Sequence, residues 1–333
     1  MKAFLIDRYH RKGGGQVSDV PEPVVRDDDV LIQVHAASVN VLDSKIRRGE
    51  FKLILPYRLP LILGNDVAGT VLAVGARVRR FKPGDQVYAR LDDDRIGAFA
   101  ERVSVKETSL AFKPANLTME EAASIPLVGL TAWQVLVDTA QLQAGQKVLI
   151  HAGSGGVGTL AIQLAKQLGA FVATTTSTAN VEWVRRLGAD LVIDYRKQDF
   201  AALLQDYDVV LNGLGTDVLE RSLQVLRPGG QLISISGPPT PQFASEQGLG
   251  WPLKQVLRAL SYRIRKQAAK RGVRYAFVFM RANGKQLGEI TSMVEAGHIR
   301  PVVDRSYPLA STADALAYVE QGRAKGKVVV NII

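Results

Sequence analysis

The hydrophobic positions of this chain change period along its length. From residue 1 to about 120 they come in short runs broken by glycine and proline. Val30–Ala36 and Val67–Val74 read as strands, and Gln86–Ala89 as a third behind the turn Phe81-Lys-Pro-Gly-Asp85. Gly64, Gly69 and Gly75 mark bends or close backbone approaches, and Gly13-Gly14-Gly15 a flexible turn between the first two strands. Short strands with frequent turns predict a small barrel-like unit. Near Glu120 the period lengthens. Thr118 is placed to cap a helix with Glu120 and Glu121 in its first turn, and Ile125–Val137 continues as mostly helical.

Beyond that point strands and helices alternate. Lys147–Ile150 is a short apolar run. Val157, Leu160, Ala161, Leu164, Ala165 and Leu168 then fall on one helical face, and Gly169 follows where a C-cap needs a left-handed residue. Strand Phe171–Thr175 precedes a helix over Val181–Leu187 that ends at Gly188. Strand Leu191–Ile193 precedes a helix from about Asp199. Strand Val209–Leu211 precedes a helix over Val218–Leu226, stopped by Pro228-Gly-Gly230, and strand Gln231–Ile235 follows. This alternation predicts a doubly wound parallel sheet. Tyr275–Met280 reads as a strand and Leu287–Ala296 as a helix ended by Gly297. Val302–Val303, a helix over Thr312–Gln321 and Lys327–Val330 close the chain.

Between the strand at 147–150 and its helix lies His151-Ala-Gly-Ser-Gly-Gly-Val-Gly158, in which Gly153, Gly155 and Gly158 form G-x-G-x-x-G. Gly153 suits a tight turn, Gly155 a close approach of backbone to a pyrophosphate, and Gly158 close packing of helix on strand. The helix N-terminus offers unpaired N–H groups to phosphate. A glycine loop without ligand is the alternative. The flanking strand and helix favour a dinucleotide site.

With 333 residues, two domains are expected, and a hydrophobic fraction of 47% is ordinary for a globular protein. No run is long enough to cross a bilayer, and the charge at Asp7 interrupts the first apolar stretch, so a cytoplasmic location is expected. There is no cysteine. The net charge of +10 is unevenly placed. Trp251–Arg274 holds eight Lys or Arg and no acid, which leaves 34 basic against 32 acidic residues elsewhere. The basicity is thus local, and nucleic acid is not an expected partner. Leu253, Val256, Leu257, Leu260 and Ile264 recur there at helical spacing. Such a helix can wall the protein's own cleft, lie on an anionic membrane surface, or bind phosphates. The first is preferred, with a weak contact between 251–274 and an anionic membrane.

The motifs Ala37-Ser-Val-Asn-Val-Leu-Asp43, Gly64-Asn-Asp-Val-Ala-Gly69, Phe81-Lys-Pro-Gly-Asp-Gln-Val87, Gly129-Leu-Thr-Ala-Trp133, the glycine loop and Gly326-Lys-Val-Val329 span almost the whole chain. Together they resemble the zinc-independent quinone-oxidoreductase branch of the medium-chain dehydrogenase/reductase superfamily. Residues 251–282 further resemble its reticulon-interacting-protein-like subgroup. The resemblance implies an α/β chain with two parts. A GroES-like β-barrel catalytic domain spans 1–122 with 281–333, and a doubly wound Rossmann-type nucleotide-binding domain spans 123–280, with the cleft between them. It implies a homodimer formed at a sheet edge near Gln231–Ile235.

It also implies roles. The histidine of the family's zinc site is Asn65 here, followed by Asp66, and the four histidines show no ligand spacing, so no metal is expected. The acidic runs Asp27–Asp29 and Asp92–Asp94 read as solvated loops. Where NAD sites place an acid to hold the ribose, this chain has Thr174-Thr-Thr-Ser-Thr178, with no acid until Glu182 and with Arg185, Arg186, Arg196 and Lys197 nearby. NADPH is therefore the expected cofactor. The family's Tyr is matched by Tyr195, while Asn180 stands where the family has Lys. Cofactor contacts are expected from Thr131, Gly153, Ser154, Gly155, Gly156, Val157, Gly158, Thr176, Ser177, Asn180, Tyr195, Asn212, Phe277, Phe279 and Lys327. Asn40 is the expected donor to developing negative charge, and Asp43 orders its loop. Phe51 stands where quinone and enoyl reductases carry Tyr, which weakens an enoyl-thioester reading, and Tyr57 is the substitute hydroxyl. The expected function is NADPH-dependent reduction of small quinones or other activated carbonyl or conjugated compounds. An enoyl or alkenal reductase and an NADPH-binding accessory protein are the alternatives.

Overall fold

The computed structural model describes every residue except Lys12 and Leu53. The chain forms two compact units, one of Met1–Leu130 with Arg281–Ile333 and one of Thr131–Met280. The first crossing lies at Leu130, eight residues beyond the expected 122, because the helix Pro126–Trp133 straddles it.

The first unit begins with eight strands: β1 (Lys2–Ile6), β2 (Gln16–Asp19), β3 (Asp29–Val39), β4 (Leu61–Ile62), β5 (Asp66–Val74), β6 (Gln86–Arg90), β7 (Arg102–Lys106) and β8 (Leu110–Phe112). The second unit supplies β9 (Lys147–Ile150), β10 (Phe171–Thr176), β11 (Leu191–Asp194), β12 (Tyr207–Asn212), β13 (Leu226–Ser234) and β14 (Arg274–Phe277). The chain then returns to the first unit with β15 (Val303–Pro308) and β16 (Lys327–Asn331).

In the first unit β2-β1-β4 form a small antiparallel sheet, and β15-β16-β3-β5-β6-β8 a larger one to which β7 adds through β3. The long strand β3 binds β5, β7 and β16, and Val30, Ile32 and Val34 along it are fully buried. Gly69 permits the β3–β5 contact, since a Cβ there would lie 2.0 Å from the Gln33 carbonyl oxygen. The acidic runs are not simply solvated. Asp29 is buried, bound by Arg95 at 3.0 Å and Ser104 at 3.0 Å, because it opens the central strand.

In the second unit six parallel strands lie in the order β11-β10-β9-β12-β13-β14. Val148, Leu149 and Ile150 on β9 and Val209, Val210 and Leu211 on β12 are almost wholly buried, as strands covered on both faces require. Two expectations are corrected here. The helix after β12 is Thr216–Ser222, and Pro228-Gly-Gly230 lies inside β13, where the pairing shifts register between Tyr207 and Val209. Gln231–Ile235 is not the sheet edge either, because β14 pairs alongside it and takes that place. The basic stretch forms two helices, Trp251–Leu260 and Tyr262–Lys270, joined at Ser261. Its expected apolar face is also corrected: Leu257, Ile264 and Ala268 are buried, while Val256 and Leu260 are exposed.

Candidate active site and nucleotide loop

The order of chain connections reverses at β9, which has β10 on one side and β12 on the other. A doubly wound sheet opens a ligand crevice outside the carboxyl ends of its strands at such a switch point. The glycine loop leaves β9 there. A Cβ on Gly153 would fall 2.2 Å from Thr174 Oγ1, and one on Gly158 would fall 2.3 Å from the Ala152 carbonyl oxygen. These two glycines let the loop close on the sheet. The left-handed turn residue is Ala152, at φ +55°, rather than Gly153. Gly155 differs from both, since its only near atom would be the Ala152 oxygen at 3.3 Å, with open space beyond. The helix Gly156–Gln167 starts there without a side-chain cap, so its first N–H groups are free for an anion. Ser154, Gly156 and Val157 line this turn, half-buried.

The threonines of β10 divide the work. Thr174 Oγ1 donates to the Ile150 carbonyl at 2.6 Å, and Thr175 Oγ1 accepts from Ala152 N at 3.2 Å. Thr176 Oγ1 is buried with no partner among the described residues. Asn180 donates to Ser177 Oγ at 3.0 Å and accepts from Trp183 Nε1 at 2.9 Å, so this amide shapes the turn. Tyr195, just past β11, is exposed. Part of the expected basic set is already engaged, with Arg185 bound to Glu182 at 2.9 Å and Lys197 within 3.9 Å of Asp194. Asp194 is an acid that the spacing did not reveal. Parallel pairing sets it beside Thr176, and the hydrogen bond from Thr178 Oγ1 at 2.6 Å holds its carboxyl below the usual range.

Asn212 ends β12 buried, its amide closing a turn with Leu214 N at 3.0 Å. Phe277 and Phe279 stack edge-on against Phe243, at 5.2 and 5.9 Å between centroids. Thr131 is buried in the helix Pro126–Trp133. His151 is structural. It lies against Thr175 and Ser222 hydroxyls at 3.1 and 2.9 Å, and burial drives its pKa down to about 3.

In the first unit a buried polar cluster gathers where β3 runs into the helix Val41–Arg47. Asp43 accepts from Asn40 N at 2.7 Å and from Asn65 Nδ2 at 2.6 Å. Asp66 accepts from Asn40 Nδ2 at 2.9 Å, Ser38 Oγ at 2.8 Å and Leu127 N at 2.8 Å. Lys327 reaches in from β16, donating to the Val39 carbonyl at 2.9 Å and to Asn40 Oδ1, with Asp66 at 3.7 Å. Burial pushes the Asp43 carboxyl up to about 6 and holds Lys327 below the ordinary lysine range, against the pull of Asp66 and Asp43. Asn40 is therefore not the free donor expected of it, for both ends of its amide are engaged inside the protein. Asp43 does order the loop. Asp66 and Lys327 anchor the cluster, a role their local sequence does not show.

Tyr57 is half-buried, and its hydroxyl has no partner among the described residues. Burial raises its pKa, with Asp93 and Arg90 the strongest charges felt. Arg90 is fully buried, binding Asp93 and the Leu91 carbonyl. Phe51 packs on the barrel core.

Two family descriptions match: "Alcohol dehydrogenase GroES-like domain" over residues 26–115 and "Zinc-binding dehydrogenase" over residues 187–330. The chain belongs to the medium-chain dehydrogenase/reductase family, in its zinc-independent, quinone-oxidoreductase-like branch. Within it the chain is similar to the mitochondrial NAD(P)H oxidoreductase RTN4IP1 of Danio rerio, at 35% identity over 100% of this chain and 92% of that protein. It is also similar to the chloroplastic NADPH-dependent alkenal/one oxidoreductase of Arabidopsis thaliana, at 36% identity over 99% of this chain and 79% of that one. Among solved structures, a quinone oxidoreductase from Coxiella burnetii superposes with a TM-score of 0.88 at 31% identity, covering 100% and 99% of the two chains.

The donor set does not fit the zinc of the second description. The chain has no cysteine, Asn65 offers only an amide oxygen where a zinc site needs an imidazole, its Nδ2 being bound to Asp43, and the Lys327 ammonium lies 3.7 Å from the Asp66 carboxylate where a cation would have to enter. A dinucleotide does fit, because open space at Gly155, uncapped helix N–H groups and the unpartnered Thr176 hydroxyl are what its phosphates and ribose need.

Proposed function

We propose that this chain is an NADPH-dependent, zinc-independent reductase of quinones and other activated carbonyl or conjugated compounds. The observation that carries the reading is the glycine loop, closed by Gly153 and Gly158 and left open at Gly155. NADPH would be held by the loop and by the helix Gly156–Gln167 at its pyrophosphate, with Thr176 and Ser177 beside the adenosine ribose. When bound, NADPH supplies hydride.

The chain's own residues have two tasks. The Asp43, Asn65, Asp66 and Lys327 cluster fixes the turn at Asn40 from one helix, two strands and the bend before β5 at once, so that backbone does not relax during reaction. Tyr57 keeps its proton at neutral pH, since burial raises its pKa, and its unpartnered hydroxyl donates to a substrate oxygen that gains negative charge. The likeness to an alkenal/one oxidoreductase supports including enals and enones among the substrates. A homodimer would form through the exposed edge β14, four residues long, rather than β13. Light scattering at micromolar concentration reads this directly, and a monomer mass refutes it.

The deciding experiment follows NADPH oxidation against a panel of quinones, enals, enones and enoyl-thioesters, with and without EDTA. Steady turnover with quinones or enals that survives chelation is expected. Cofactor binding without turnover across the panel would assign the chain to NADPH-binding accessory proteins instead.

A further inference from the structure

The helices Trp251–Leu260 and Tyr262–Lys270 are anchored on one side only. Ile264 and Ala268 pack into the core of the second unit with Val273 and Tyr275, and Leu257 and Ser261 are buried on the same side. The solvent-facing surface of the two helices carries four large apolar residues: Trp251 is 73% exposed, Val256 52%, Leu260 59% and Tyr262 56%. Interleaved with them are exposed Arg258, Arg263, Lys266, Lys270 and Arg271. The acids nearby are few. Glu220 binds Arg263 at 2.9 Å, and Glu246, on the helix Pro241–Glu246, accepts from Gln242 at 2.9 Å.

We propose that this face is a docking surface for an anionic lipid bilayer. The contact is peripheral, since no helix among the described residues is long and apolar enough to span a membrane. Charge complementarity selects the occupant. A strongly cationic patch needs a polyanionic surface, and the aliphatic Val256 and Leu260 with Trp251 and Tyr262 need an apolar layer within side-chain reach of those charges. The headgroup and acyl boundary of a bilayer offers both together. A second copy of this chain is disfavoured, because a two-fold contact would lay the patch on itself, cation against cation. A nucleic-acid duplex would meet the charges but leave the aliphatic side chains without a partner. The proposal is independent of the reductase reading.

The test is co-sedimentation of the full chain with vesicles of phosphatidylcholine alone and of phosphatidylcholine mixed with phosphatidylglycerol. Binding to the mixed vesicles at low ionic strength is expected, weakened by salt and absent from phosphatidylcholine alone. Each cation at such a surface is worth about five-fold in partition. The triple variant Arg258→Gln, Lys266→Gln, Lys270→Gln should therefore lose on the order of a hundredfold, with an unchanged urea-unfolding midpoint as the control for folding. Trp251 reports insertion: its emission should shift to the blue on mixed vesicles, and Trp251→Phe should abolish the shift. Absence of binding at low salt, an unaltered partition of the triple variant, or tighter binding to a DNA duplex than to the vesicles would overturn the proposal. So would a changed oligomeric mass in the triple variant.

Discussion

Asp43→Asn separates the cost of a buried charge from the value of the hydrogen bonds it makes. The wild-type carboxylate uses its two oxygens on two buried donors, Asn40 N at 2.7 Å and Asn65 Nδ2 at 2.6 Å. An asparagine offers one oxygen, so one donor faces an NH2 group, a loss of about 1–3 kcal/mol. Against this stands the burial penalty that lifts the carboxyl from 3.8 to about 6. Because the folded pKa lies above the unfolded one, the folded protein holds this proton more tightly. The resulting stability is fully present below the unfolded pKa and is lost as pH rises through about 6. The shift corresponds to about 3 kcal/mol in all, of which about 2 kcal/mol disappears between about pH 4.5 and about pH 8.

The variant lacks this titration, and Lys327, Asp66 and every other group are common to both proteins. The stability advantage of wild type over Asp43→Asn, measured by urea unfolding, should therefore shrink by about 2 kcal/mol across that range. The lead of wild type is greatest at the acidic end, where the carboxyl is neutral like the amide, and at the alkaline end the two approach each other. A difference that stays constant with pH, or grows towards alkaline pH, would refute the account of Asp43 as a buried, desolvated carboxyl.

Three further outcomes are expected. Gly155→Val should abolish NADPH binding by calorimetric titration while leaving the unfolding transition near that of wild type, since the new side chain enters open space; in the same titrations wild type should bind NADPH more tightly than NADH, and equal affinities would count against Thr176 and Ser177 as the discriminating residues. Tyr57→Phe should lower kcat by roughly ten- to a hundredfold with little change in the NADPH affinity, because it removes a donor with no other partner; unchanged kcat would remove Tyr57 from the chemistry.

The local elements were legible because their causes are local. The apolar face from Val157 to Leu168, the cap at Thr118 and the left-handed glycines 169, 188 and 297 follow from steric and hydrogen-bonding rules acting over a few residues. The loop 151–158 was readable for the same reason, since its glycines answer to atoms within the loop, its helix and the adjacent strand. Errors arose where neighbours in space decide. Pro228-Gly-Gly230 looks like a helix stop, yet a register shift against β12 absorbs it into a strand. The edge of the sheet passed from Gln231–Ile235 to Arg274–Phe277, because strand order is a property of the assembled sheet.

The buried cluster shows the same division most plainly. The residue types at Asn40, Asp43 and Asn65 announce a polar site without cysteine or zinc. Tertiary structure alone decides that Asn40 is bound at both ends of its amide, that Asp43 is desolvated, and that the cation beside them is Lys327, 287 residues away from Asn40. A hydrogen bond between strands β3 and β16 depends on antiparallel register, which no spacing along the chain encodes. The charge state of a carboxyl depends on how much water the fold removes, and that quantity exists only once the barrel has closed around it.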